Sequence, residues 1–241
     1  MKKIISIITA LCLVVVLLAG CSGGSKGVDL ASLEAVPAVN NVDEYNLYQD
    51  IFFNDKAEEN ENKTMETEGV FATLYDAFND VTRYYVWGNG EDKTKDWQWE
   101  LKLDDTSNLP ANGSLVTVKG TFVHDASALD KHWIINPEIS VKTEYKGLDC
   151  DIDMTVMSGT LERVEMQNIS IKSELFEGKT VAGYGRVHEE DSIQHPYIDH
   201  IVEFHVHSDK ALPEADTMLI FRGTIDNDVL TETEFVETSN Y

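Results

Sequence analysis

Cysteine, proline and positive charge are all scarce in this chain. Its 241 residues include three cysteines, five prolines and 19 basic side chains against 43 acidic ones, a formal net charge of −24. So few cysteines rule out a disulfide-stapled scaffold. The sequence has no Cys-x-x-Cys pair, no His-Glu-x-x-His and no phosphate-binding glycine loop, so the common thiol-redox, zincin and nucleotide-hydrolase signatures are missing. Gly20-Cys21-Ser22-Gly23-Gly24 fits Gly-x-Ser-x-Gly, but no strand precedes it to build a strained nucleophile turn. No enzyme is expected, and a hydrolase is the weak alternative. The shortage of Lys and Arg carries its own exclusion. Sequence-independent affinity for nucleic acid comes from basic side chains displacing counterions, so no nucleic-acid partner is expected.

What is present begins with an export signal. Met1-Lys2-Lys3 is cationic, Ile4 to Leu18 is apolar, and small residues Ala19 and Gly20 precede Cys21. A membrane-spanning helix needs about 20 apolar residues; this run is shorter and breaks into Gly-Cys-Ser-Gly-Gly. Leu18-Ala19-Gly20-Cys21 resembles the lipobox of bacterial lipoproteins. That resemblance implies cleavage of the signal peptide, residues 1–20, and lipidation of Cys21. It also implies a mature protein held by its acyl chains on the extracytoplasmic face of the cell membrane. Losing the two lysines would leave 17 basic groups against 43 acids. Cys150 would be the one free thiol, expected as a small buried side chain on a strand from Asp149 to Met157.

Residues 21–41 read as a flexible tether. Asp43 is placed to cap a short helix whose Leu47, Tyr48, Ile51 and Phe52 form one apolar stripe. Asp55 to Thr67, rich in acids, reads as a solvated loop or a fraying helix end. Beyond residue 68 the period becomes two, predicting strands over 69–78, 81–87, 97–103, 115–123 and 133–142. The strongest organising feature is a repeat. Leu109-Pro110 through Phe122 reappears as Leu212-Pro213 through Ile225, with Lys119-Gly120-Thr121 answered by Arg222-Gly223-Thr224. Trp99, Leu101 and Leu103 then fall on Val202, Phe204 and Val206, and Glu68-Gly69-Val70-Phe71 on Ser158-Gly159-Thr160-Leu161. On that last match the second copy carries about 13 extra residues, placed within Gln167 to Lys179.

Each unit has about five strands, with a glycine in the fourth where a barrel bends sharply. The expected fold class is therefore all-β, two tandem five-stranded OB-like barrels preceded by a short helix. The first domain is expected over 42–148 and the second over 149–241. The Gly-x-Val/Phe opening, the Leu-Pro turn and the Val-x-Val-Lys-Gly-Thr strand resemble tandem OB-like domains of bacterial lipoproteins of unassigned function, sometimes labelled tRNA-anticodon-binding-like. Two immunoglobulin-like sandwiches are the alternative, although those usually have seven strands per unit.

Two constellations are candidates for function. His188, His195, His200, His205 and His207 cluster, and alternation puts Glu203, His205 and His207 on one strand face. With His195 or Asp199 they could hold zinc or copper; the plain alternative is a set of exposed histidines, since Lys102 matches His205 in the repeat. Tyr84, Trp87, Trp97 and Trp99 lie on the second and third strands, a surface many OB-folds use for binding. They read either as a patch for an envelope protein, peptide or glycan, or as core. Asp149, Asp151 and Asp153, and Asp226-Asn227-Asp228, lack a calcium-loop pattern and read as solvated charge. The function expected is a non-catalytic protein- or ligand-binding module at the cell envelope, with metal binding as the alternative.

Overall fold

The computed structural model of the protein describes residues 29–33, 35, 36, 38–125, 131–196 and 202–239. Cys21, Asp199 and His200 lie outside the described residues. The chain forms two closed five-stranded barrels. The first consists of β1 (Thr64–Asp76), β2 (Val81–Asn89), β3 (Asp96–Lys102), β4 (Leu115–Asp125) and β5 (Lys131–Thr143). They run in the order β1-β2-β3-β5-β4, and β4 closes back on β1. The second barrel uses β7 (Thr180–Glu189), β8 (Ser192–Gln194), β9 (Glu203–Val206), β10 (Met218–Asp226) and β11 (Val229–Glu237), and β10 pairs with both β11 and β7. In both barrels the third and fifth strands pair in parallel and all other neighbours are antiparallel. This repeated order is that of the OB barrel. A two-residue β6 (Ile152–Asp153) lies parallel to β7.

The duplicated segment forms β4 and β10, and its glycines mark the bends. The register of β4 on β5 shifts between Lys119 and Thr121, and that of β10 on β11 between Arg222 and Thr224. A bulge at those points lets a strand turn through the barrel corner. A Cβ on Gly120 would run into Ile134 Cγ2 and lie 2.8 Å from the Ile135 carbonyl; one on Gly223 would meet Thr233 Oγ1 at 2.9 Å. The pairing also corrects the start of the repeat. Gly69 pairs with Val116, and Gly185 with Leu219, which is the repeat mate of Val116. Gly69 is therefore answered by Gly185, not Gly159, and the second copy is shorter in this stretch, not longer.

Three α-helices, α1 (Val42–Phe53), α2 (Ala57–Asn60) and α3 (Gly159–Ile171), and three single-turn 3-10 helices complete the described chain. Asn41, not Asp43, caps α1, its side-chain oxygen accepting from the Glu44 amide at 3.1 Å. The predicted stripe lands on the first barrel: Ile51 is buried and Tyr48 meets Trp99 edge-on at 5.5 Å, whereas Phe52 stays partly exposed. The segment over 55–67, expected as a solvated loop or a fraying helix end, contains the short α2 and also the opening of β1, where Met65 and Thr67 are buried. The tether is also shorter than expected. Leu30 packs beside Tyr184 and Ile220, and the Asn89 amide donates to the Val39 carbonyl at 2.8 Å.

The unforeseen element is α3, where the sequence predicted a first strand. Ser158 Oγ accepts from the Leu161 amide at 3.2 Å, the N-cap bond that starts a helix. Leu161, Met166 and Ile169 are buried, and so are Glu162, Glu165 and Asn168. Polar residues on the packed face hide the amphipathic pattern by which such a helix is normally read. The helix joins the barrels. One apolar cluster runs from Val70, Ala72, Leu74 and Trp87 of the first barrel, through Met157, Leu161 and Ile169, to Val187 and Phe221 of the second.

Candidate ligand cleft at the barrel junction

Pairing register fixes where each aromatic of β2 and β3 points. Val86 is opposite Trp99 and Gly88 opposite Trp97, and these residues face the barrel interior. Trp97 and Trp99 are fully buried there; Trp97 Nε1 donates to the Asn89 carbonyl at 3.1 Å and Trp99 Nε1 to Glu44 Oε1 at 2.6 Å. Burial holds the Glu44 carboxyl above its ordinary range, opposed by the hydrogen bonds from Trp99 and Thr67. Tyr84 is half-buried against the same core. Trp87 faces outward, yet it is only 7% exposed, because residues 154–157 cover it and its Nε1 donates to the Val156 carbonyl at 3.0 Å. The expected aromatic binding face is thus corrected: two of its members are barrel core, a third is half-buried, and the fourth is used to join the barrels.

The outward residues of β3 bind the start of α3. Asp96 accepts from the Thr160 amide and hydroxyl, each at 2.9 Å, and Ser158 Oγ donates to Gln98 at 3.0 Å. Beside these bonds the two barrels leave two adjoining recesses, the two parts of one cleft, with Lys93 and Gly159 in the walls of both. One part, about 230 Å³, is walled by Val36, Ala38, Trp87, Met157 and Tyr184; the other, about 450 Å³, by Lys93, Thr94, Asp96, Thr160, Arg163 and His195. Mainly apolar side chains line the first part, and polar and charged side chains line the second. Recesses of this size between domains are the usual setting for small-ligand sites.

His195 closes the polar part from behind. It is 2% exposed, and its Nε2 lies 4.0 Å from Glu162 Oε2 of α3. Burial lowers its pKa to about 4, opposed by a hydrogen bond to the Gly159 backbone and reinforced by the charge of Arg163. Imidazole there is neutral at physiological pH. Glu162 Oε1 accepts from the Tyr184 amide at 2.8 Å. Glu165, one turn on, is lifted to about 7 by burial, with hydrogen bonds from Asn168 and the Tyr75 amide acting the other way. No sequence pattern pointed to Glu162, Glu165 or Arg163, because their neighbours come from segments far along the chain.

The metal candidates are dispersed. His195 sits in the junction, His205 and His207 are exposed on and just after β9, and Glu203 turns to His188, whose Nδ1 is 2.9 Å from Glu203 Oε1. Among the described residues no three His, Cys, Asp or Glu side chains are grouped to hold a metal ion. Cys150 is half-buried in a turn rather than on a strand, and burial, with Asp153 nearby, pushes its thiol up to about 12.

No protein-family description and no curated protein matches this chain. Similar solved structures include a tetrameric HIN2 domain, 10% identical, covering 73% of this chain and 96% of that one at a TM-score of 0.24. A murine DNA-binding protein bound to double-stranded DNA is 8% identical, over 74% and 98% of the two chains, at a TM-score of 0.24. A HINa domain in complex with a 20-base-pair duplex is 11% identical, over 73% and 96%, also at 0.24. The DNA-bound chains correct the expectation that a nucleic-acid partner is excluded. Net charge sums over a whole surface, whereas a nucleic-acid contact uses a local one, so the exclusion is withdrawn.

Proposed function

We propose that this chain is an exported bacterial lipoprotein, anchored through Cys21 on the extracytoplasmic face of the cell membrane, that acts without catalysis as a binding module of the envelope. The binding surface in this reading is the cleft between the barrels. The observation that carries it is the two-part recess walled by Trp87, Met157, Tyr184, Lys93 and Arg163, in a molecule whose other β2 and β3 aromatics are committed to packing. The lipobox supplies the address, and two or more acyl chains make such an anchor durable.

Mass analysis of the protein from detergent-solubilised membranes tests the anchor: the chain should start at a diacylglyceryl-modified Cys21, and Cys21→Ala should abolish the modification. Recovery of residues 1–20 without lipid would end this reading. The cleft is tested with N-phenyl-1-naphthylamine, a neutral fluorescent probe. One equivalent should bind, and Ala38→Trp, a change at an exposed wall position, should block it.

A further inference from the structure

The chain has four arginines, and three are paired with carboxylates: Arg83 with Asp76 and Glu100, Arg186 with Asp216, and Arg222 with Glu234. Arg163 has no ion pair and no hydrogen bond among the described residues. It is half-buried and lines the polar part of the cleft, beside the first turn of α3. In a protein with 43 acidic side chains, a half-buried guanidinium without a carboxylate is conspicuous. Its five donors therefore face the cleft and are open to a ligand there.

Among the described residues, the one carboxylate lining that part of the cleft is already engaged. Asp96 uses one oxygen on the Thr160 amide and the other on the Thr160 hydroxyl, at 2.9 Å each. It thereby offsets the positive end of the helix and leaves Arg163 uncompensated. His195 supplies no charge near neutral pH, and Lys93 adds a second cation at the rim. The neighbouring part contributes indole, thioether, phenol and aliphatic surface from Trp87, Met157, Tyr184 and Val36. Charge and apolar surface therefore adjoin in one recess.

We propose that the junction cleft binds an amphipathic organic anion, its acidic group on Arg163 with Lys93 at the rim and its apolar body against Trp87, Met157 and Tyr184. This rests on the reading of the cleft as the binding surface and adds the chemical class of the ligand. A fork of guanidinium donors suits a carboxylate, sulfonate or phosphate oxygen pair, and a charge-assisted pair sheltered from water is about twice as strong as a neutral hydrogen bond.

Two probes that differ only in a sulfonate separate the two ideas. 1-Anilinonaphthalene-8-sulfonate and N-phenyl-1-naphthylamine are titrated into the mature, unacylated chain spanning residues 22–241, which retains every described residue. The sulfonate should bind one to one and about tenfold more tightly than the neutral probe, and Arg163→Met should bring the two affinities together. Met keeps an unbranched stem and a high helix propensity, so the far-ultraviolet spectrum of the variant should match that of the parent. Arg163→Lys should retain part of the preference. If the neutral probe binds, is blocked by Ala38→Trp, and the sulfonate gains nothing from Arg163, the anion assignment is overturned and the cleft stands. If neither probe is displaced by Ala38→Trp, both fall.

Discussion

Two buried ionisable residues at the junction, His195 and Glu165, act on stability with opposite sign. The His195 pKa falls to about 4 on folding, mainly through burial, so the unfolded chain holds its proton over the range from there to about 6.5. The stability tied to a neutral His195 is complete above about pH 6.5 and is lost as pH falls through that range. Glu165 is raised to about 7 by burial, so the folded chain holds its proton longer. Its contribution is complete below the ordinary glutamate value, about 4.5, and is lost as pH rises to 7. Each effect is worth up to about 3 kcal/mol, and in the parent protein they largely cancel. Thermal melts between pH 4 and 8 should show this. Glu165→Gln should become more stable as pH rises, and His195→Gln less stable. Curves for both variants that parallel the parent would contradict the assignment. At the same scale, the raised Cys150 thiol should alkylate slowly with iodoacetamide at pH 8 in the folded protein and rapidly in denaturant.

The element that tests the OB reading most directly is the fourth strand of each barrel. Gly120 and Gly223 occupy equivalent bulges but differ in what a side chain would meet. At Gly120 the obstacles are the Ile134 side chain and the Ile135 backbone carbonyl; at Gly223 the nearest atom is the hydroxyl of Thr233. Backbone yields less readily than a side-chain rotamer, so Gly120→Ala should cost about 1–3 kcal/mol and Gly223→Ala less. Denaturant titration of the two variants decides the ranking, and equal losses would contradict it. The helix α3 depends on its cap in the same way. Ser158→Ala removes the oxygen that accepts from the Leu161 amide and the donor to Gln98, with a loss of about 1–2 kcal/mol expected.

At the scale of the whole molecule the barrels are not independent. The outer face of β1 and Trp87 share one apolar cluster with α3 and the interior of the second barrel. The two barrels should therefore melt together. Calorimetry should give a single transition whose van't Hoff and calorimetric enthalpies agree; two resolved transitions would mean the shared cluster does not couple them. Trp87→Ala, which empties the junction and deletes the bond to the Val156 carbonyl, should cost about 3–5 kcal/mol and broaden or split that transition.

Much of the architecture was legible because it is local. Alternation placed the strands of the first barrel to within about five residues, the duplicated segment marked β4 and β10 with their bulge glycines, and the stripe on α1 named its contact with the barrel. Other features could not be read this way. Glu162, Glu165 and Asn168 concealed α3, since a helix that buries polar residues shows no clean apolar face. Period-two alternation also groups Trp97 and Trp99 without saying whether their shared side faces the interior, and it cannot show that Trp87 is covered from residues about 70 positions away.

By itself the sequence determined two closed sheets and their duplication, since both depend on side chains close together along the chain. Only the tertiary structure decided which faces are covered, that Asp96 is engaged by Thr160, and that Arg163 has no carboxylate partner among the described residues. Those relations depend on how α3 packs across both units, and packing between distant segments leaves no period in the chain that could announce it.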